Sequence, residues 1–488
     1  MRTLPESSPT NIATSLAPAF LERMRSSVRL IMEPDELARR FGGQRQGQPL
    51  HTVYGGADIF KSGSAAKLSQ LALSCLSTYA GDWATFCRAL KLPGHERLPD
   101  QIDDRRRMLA GFDPQHAAPD LRLAYTLYER VCQRLSSGNS VVDMRVDFED
   151  GFGYRAADVE DHFAQKAALE MAKGLQSGQL PPFIGIRIKP LTIESADRSL
   201  RTLDIFITTL AQATGGRLPD NFVVTLPKVT DPGQVHVLLD VLERLESQTG
   251  LPRRSIPIEI MVETPRAILS SDGKVALFSL AGASGLLRGM HFGTYDHTAA
   301  LGVVGTHQSM QHPACDFARQ MMLHAFAGTS IWLSDGATTK MPIGRHKPDG
   351  TTFTTTQLAQ NQKDVHEAWS VCFADVLQSL TLGLYQGWDL HPGQIVTRYA
   401  ANYYFFLAGF DHAARRLSEF VSKAAQASLV GNSFDDAATG QGWLNFMLRA
   451  VDCGAVTEDA VRSATGLSLS EIRSRSFVSI IAGRQQVA

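Results

Sequence analysis

Residues 140–155 read SVVDMRVDFEDGFGYR, and the reading of this stretch decides the fold. Val142, Met144 and Val146 alternate with Asp143, Arg145 and Asp147, which is the two-residue period of a strand. The run then ends in Glu149 and Asp150, with Gly151 immediately after. Burying even a neutral polar group without a partner costs roughly 2–7 kcal/mol, and an ionised carboxylate costs more. Carboxylates at the end of an otherwise buried strand therefore require a countercharge, and a cation is the natural candidate.

Working outward, strand-like runs recur at LHTVYG (50–55), FIGIRI (183–188), FVVTLP (222–227), IPIEIMVE (256–263), RGMHFG (288–293), TSIWLS (329–334) and GWDLHP (387–392). With residues 140–148 they make eight. Amphipathic stretches such as AADVEDHFAQKAALEMAKGLQ and DPGQVHVLLDVLERLESQTG separate them, each long enough for a crossover helix. Eight strands alternating with helices predict an α/β fold, a (β/α)8 TIM barrel over residues 50–400. Residues 76–139 are too long for one crossover and predict a helical insertion that includes DDRRRMLAGF. A helical segment is expected over residues 1–49, and a helical C-terminal extension over 401–488.

The 488 residues carry 48 Lys and Arg against 49 Asp and Glu, so charge gives no argument for nucleic acid or an anionic membrane surface. No apolar run approaches the roughly 20 residues needed to span a bilayer. Six scattered cysteines without a CxxC pair suit a reducing compartment. A cytoplasmic protein with a small-molecule partner is expected. GASG at 282–285 matches neither GxGxxG nor GxxxxGK[ST], so no dinucleotide or P-loop site is read.

A (β/α)8 barrel collects its chemistry at the C-terminal ends of its strands. That rule gathers Asp147, Glu149 and Asp150, then Arg187, Lys228, Glu263, Asp296, Asp335 and His391. Glu263 and Asp296, from adjacent strands, can place oxygens on one hard cation, and magnesium commonly takes one or two carboxylates plus waters. The plainer alternative pairs Glu263 with Arg266 or another barrel cation. Arg187 offers a planar fork for a carboxylate, and Lys228 a point charge. Arg187 could equally form a buried ion pair with Glu149 or Asp150. His291 and His297 flank the Asp296 strand without the His/Cys cluster that zinc requires.

The order DFEDG, GIRIKP, LPKV, IMVETPRA, HFGTYDH, LSDG and GWDLHPGQ resembles the citrate lyase beta subunit-like and HpcH/HpaI aldolase superfamily, which also contains malate synthase. The resemblance implies that Glu263 and Asp296 are magnesium ligands, with manganese as an alternative. It further implies that Arg187 holds a 2-oxo acid and that Glu149 and Asp150 form the acidic pair beneath the metal waters. In the tail, SFDDAATGQGWLNFMLRA resembles the malate synthase segment around E-D-A-A-T, which implies Asp436 as catalytic base, Asp435 standing for the preceding Glu. Those two aspartates could otherwise cap a helix beginning near Ala437. The implied function is a magnesium-dependent carbon–carbon lyase or Claisen-type enzyme acting on a 2-oxo acid or a hydroxyacyl-CoA thioester. The alternatives are a class II-type pyruvate aldolase on free hydroxy keto acids and a non-catalytic lyase-like subunit. A homo-oligomer is expected from the relatives. The chain departs from the family at its first strand, where TVYGGAD replaces a proline-containing turn.

Overall fold

Alternating side chains with charge on one face can form a strand only if that face is enclosed and paired. In a computed structural model, eight parallel strands close into a barrel in chain order. They are β1 (His51–Gly56), β2 (Asp143–Asp147), β3 (Phe183–Arg187), β4 (Phe222–Leu226), β5 (Ile258–Val262), β6 (Leu287–Phe292), β7 (Trp332–Ala337) and β8 (Gln386–Asp389). The structure describes residues 17–484 apart from 44, 46, 348–352, 423–427, 431–432, 436, 475, 478 and 481–482. β8 returns to β1 with His51 opposite Gly387, so the barrel has no open edge. The eight strands read from the sequence are the eight of the barrel. β7 is displaced at both ends, running from Trp332 to Ala337 where the sequence pattern runs from Thr329 to Ser334.

The helices start and stop where local chemistry dictates. The helix Pro232–Thr249 opens with Asp231 and Gln234 in a capping box and Pro232 in its first turn, and it ends at Gly250 in the left-handed region, φ 71°. Between β1 and β2 the chain makes four helices: Ser64–Tyr79, Trp83–Leu90, Ile102–Ala110 and Pro119–Ser136. After β8 the helix Pro392–Ser422 packs on Ser64–Tyr79, Pro119–Ser136 and Thr355–Leu382. Its aromatic segment is core: Tyr403 and Phe406 are buried. A short antiparallel pair follows, β9 (Ser428–Val430) and β10 (Ser433–Asp435). Among the described residues no helix is long and apolar enough to cross a membrane.

Outward-facing residues of the strands, such as Met144, Val146, Ile184, Ile186, Val224 and Ile260, pack against the helices in one continuous apolar core. The inward face is polar. Arg145 reaches from β2 to Glu259 on β5, with its Nη2 donating at 2.8 Å to both carboxylate oxygens, and it also pairs with Asp143. Thr225 donates to Glu259 at 3.0 Å, and His291 Nε2 lies 3.3 Å from the same carboxylate. Burial works against the Glu259 anion, but Arg145 and His291 outweigh it and hold the carboxyl below the usual range. Thr52 donates to Asp143 at 2.8 Å, Gln386 to Thr52 at 2.9 Å, and Gln48 to Gln386 at 2.9 Å. The alternation of residues 143–147 thus reflects a barrel lined with paired charge.

Replacing Arg145 by Met leaves Asp143 and Glu259 buried and unpaired. Urea denaturation of the variant is expected to show a loss of about 3–5 kcal/mol.

Candidate functional site

The site forms at the carboxyl ends of β2 to β6. Asp147 and Arg187 stand opposite each other in the β2–β3 register. Arg187 donates from Nε at 2.7 Å and from Nη2 at 2.5 Å to the two oxygens of Asp147. The same carboxylate accepts the backbone N–H of Glu149 at 3.0 Å and of Gly151 at 2.7 Å, so one side chain fixes both the arginine and the turn that follows β2. A Cβ on Gly151 would lie 2.6 Å from Asp147 Oδ2, which is why the turn needs glycine there. Beneath Arg187 lie the rings of Tyr54 and Trp388, 4.8 and 5.8 Å from its guanidinium carbon and stacked on each other at 4.4 Å.

Glu149 receives the third arginine nitrogen, Nη1, at 2.9 Å, and pairs on its other oxygen with Lys228. Lys228 Nζ is also 3.4 Å from Asp150 and 3.6 Å from Asp296. Its backbone sits in the left-handed region, φ 49°, at a cost of order 1–3 kcal/mol for a residue with a side chain. That conformation turns its N–H onto Glu263 Oε1 at 2.7 Å. Glu263 is buried, and Gly293 makes the space for it: a Cβ there would lie 2.4 Å from the Glu263 Cβ.

Five carboxylates therefore meet two cations. Among the described residues Arg187 answers Asp147 and Lys228 answers Glu149, while Asp150 and Asp296 share that same lysine at 3.4 and 3.6 Å and Glu263 accepts its backbone N–H. Burial, and then the proximity of Asp296, push the Glu263 carboxyl up to about 8 against the pull of Lys228 and Arg187. Burial also raises Glu149, whereas for exposed Asp150 the two cations outweigh burial and lower it. Among the described residues no three His, Cys, Asp or Glu side chains converge into a complete metal cage. The fit is instead to a hard cation that takes two carboxylates and fills its remaining positions with water or substrate oxygens. Glu263 and Asp296 offer such an all-oxygen set, and a cation there would offset the burial that disfavours the Glu263 anion.

The other expected residues lie elsewhere. Asp335 faces the helices, accepting from Arg319 Nε at 2.9 Å and from Ser379 Oγ at 2.5 Å. His391 accepts the N–H of Gly393 at 3.1 Å at the start of the helix after β8, and burial lowers its pKa. Asp436 lies outside the described residues. Arg187 takes the buried ion pair with Glu149 that the sequence allowed, and the pair with Asp147 dominates it. The roles of Asp147, Tyr54 and Trp388 were not read from the sequence. The signal for all three is strand alternation, which points them into the barrel.

Residues 31–480 match the family described as a domain of unknown function, DUF6986. The chain belongs to the DUF6986 family. No curated protein matches it. Among solved structures, the DUF6986 chain is similar to a citrate lyase from Burkholderia xenovorans LB400, with 18% identity over 71% of this chain and 93% of that one and a TM-score of 0.50. The malate synthase of Haloferax volcanii in its magnesium/glyoxylate complex matches with 15% identity over 53% of this chain and 65% of that one, at a TM-score of 0.38. At these identities the likeness to the citrate lyase is one of fold.

In this DUF6986 barrel a raised Glu263 means that between about pH 4.5 and 8 the metal-free folded state binds more protons than the unfolded chain. Its contribution to stability is complete below the unfolded value and is lost as pH rises through 8. Glu263→Gln removes that dependence. In metal-free buffer its thermal stability relative to the wild type is expected to improve from pH 5 to pH 9, by at most about 4 kcal/mol. A constant difference across that range would contradict the assignment.

Proposed function

We propose that this protein is a metal-dependent enzyme that makes or breaks a carbon–carbon bond beside a carbonyl, acting on a 2-oxo acid or a hydroxyacyl-CoA thioester. One observation carries the reading: the carboxylates Glu263, Asp296 and Asp150, which share the single lysine Lys228, gathered at the strand ends of a (β/α)8 barrel. Glu263 and Asp296 would hold magnesium or manganese. When bound, the metal would supply a Lewis acid for the carbonyl and carboxylate oxygens of the keto acid.

The residues of the chain divide the remaining work. Lys228 is the more exposed of the two cations, its side chain 28% accessible against 5% for Arg187, so it is the one placed to meet a substrate carboxylate. Arg187 acts as a positioning residue: its fork lies on Asp147, and its third nitrogen orients Glu149. A direct bidentate hold on substrate would require Asp147 to be displaced. Asp436 is the proposed base. In the synthetic direction it takes a proton from the methyl carbon of an acyl thioester, and that carbon bonds to the keto carbon while the carbonyl π pair moves to oxygen. In cleavage the base takes the hydroxyl proton, the oxygen pair re-forms the carbonyl, the carbon–carbon bonding pair passes into the thioester enolate, and that enolate regains the proton at carbon.

Calorimetric titration of the metal-stripped protein with magnesium, and then with pyruvate, oxaloacetate, glyoxylate and acetyl-CoA, tests this directly. Keto-acid binding is expected only with magnesium present and is expected to vanish in Glu263→Gln. Equal binding with and without metal, or none, overturns the proposal. Asp436→Asn is expected to keep keto-acid binding and to lose at least about 100-fold in turnover.

A further inference from the structure

The opposite end of the barrel holds a second feature. A cavity of about 620 Å³ opens at the amino ends of the strands, bounded by Leu50 before β1, Val142 before β2, Phe183 at the start of β3 and Tyr385 before β8. Three arginines line it. Arg130 and Arg134 are one turn apart on the helix Pro119–Ser136, and Arg449 lies in the last turn of the helix Ala437–Asp452. Like charges at that spacing on a helix repel by a few tenths of a kcal/mol, so their convergence on one hollow needs a reason.

Placement at helix C-termini, where cations suit the macrodipole, accounts for Arg134 and Arg449. Arg134 also donates to the Asn139 carbonyl at 2.9 Å and lies 5.2 Å from the centre of the Tyr399 ring, while Arg449 lies over Tyr385 at 4.7 Å. Arg130 makes no hydrogen bond or ion pair among the described residues, although it is half-buried. Asp452 is the carboxylate among the lining residues. Cys453 also lines the cavity, and burial pushes its thiol up to about 12, so it contributes no negative charge.

A fourth arginine lies close by. An adjoining cavity of about 360 Å³ shares Tyr385 and Arg449 and is lined by Arg45. Arg45 donates only to carbonyls, Ile331 O at 2.7 Å and Phe326 O at 3.0 Å. Burial, and then the charge of Arg449, push it down to about 10, unusually low for an arginine. The guanidinium fork matches phosphate and carboxylate oxygens. The larger cavity has several times the volume that a bare anion needs, and Tyr403 and Phe406 form part of its wall.

We propose that this cavity is a binding site for a small organic phosphate, its anionic group held by Arg130, Arg134 and Arg449 and its body lying against Tyr403 and Phe406. The site is distinct from the carboxylate cluster at the other end of the barrel and does not depend on the reaction proposed there.

Titration calorimetry on the full chain with AMP, glucose 6-phosphate, inorganic pyrophosphate and adenosine tests it. At least one organic phosphate is expected to bind one-to-one, more weakly as salt rises, and adenosine is expected not to bind. Among the described residues the Arg130 side chain has no hydrogen-bond or ion-pair partner, so Arg130→Gln and Arg130→Glu are the variants of choice, with circular dichroism as a check. Each is expected to weaken binding at least about tenfold, while Glu263→Gln leaves it unchanged. Three results overturn the proposal: no heat from any probe at millimolar concentration, binding indifferent to Arg130→Glu, or pyrophosphate binding as tightly as the best organic phosphate.

Discussion

A charge enclosed in a barrel must be answered inside the barrel, and Arg145 imposes that constraint on the whole interior. Its fork spans from β2 to Glu259 on β5 and touches Asp143 on the way. Thr225, His291, Thr52 and Gln386 then complete the hydrogen bonding of those carboxylates. Interiors of this fold are commonly filled by branched aliphatic residues. Here the inward positions of β2 are ionic, Glu259 and His291 face them from β5 and β6, and apolar packing inside the barrel is a small cluster of Met261, Ala337 and Trp388, while the continuous apolar core lies outside the strands. The arrangement fixes register, because a one-residue slip would turn Arg145 into the apolar helix layer.

The mouth of the barrel repeats this logic one layer higher and leaves it incomplete. Asp147, on the strand that also carries Arg145, and Arg187 on β3 form a closed pair. Beyond them the balance fails: carboxylates accumulate faster than cations, a lysine adopts a left-handed backbone to donate its N–H to Glu263, and the buried acid is pushed toward protonation. Charge in the middle of the barrel is matched pair by pair, whereas at its rim several carboxylates share one lysine.

Most of the barrel was legible in the sequence because its strands are short, β-branched and separated by long amphipathic runs. The carboxylates were legible as well, since strand ends were recognisable and Glu263 and Asp296 fall on neighbouring strands. Asp335 and His391 misled the eye for a local reason. Both stand at or just after strands, yet Asp335 turns outward to Arg319 and His391 caps the helix that follows. Which carboxylate Arg187 would choose was not decided by spacing, because Asp147, Glu149 and Asp150 all lie within reach of one fork. The arginines at the far end belong to helices more than 300 residues apart, and nothing local in the chain joins them.

The closure of β8 against β1 sets a timetable for synthesis. His51 and Gly387 are partners, but roughly 340 residues separate them. At about 5–20 residues per second the ribosome takes roughly 20–70 s to deliver the strand that covers this edge of β1. For that interval the backbone of β1 has no permanent neighbour on one side, and an uncovered edge recruits other chains. The four helices that follow β1 emerge first and form early, while the helix that seals them arrives directly behind β8. Closure of this barrel therefore waits for β8, and the nascent chain is most exposed to misassembly just before that strand arrives.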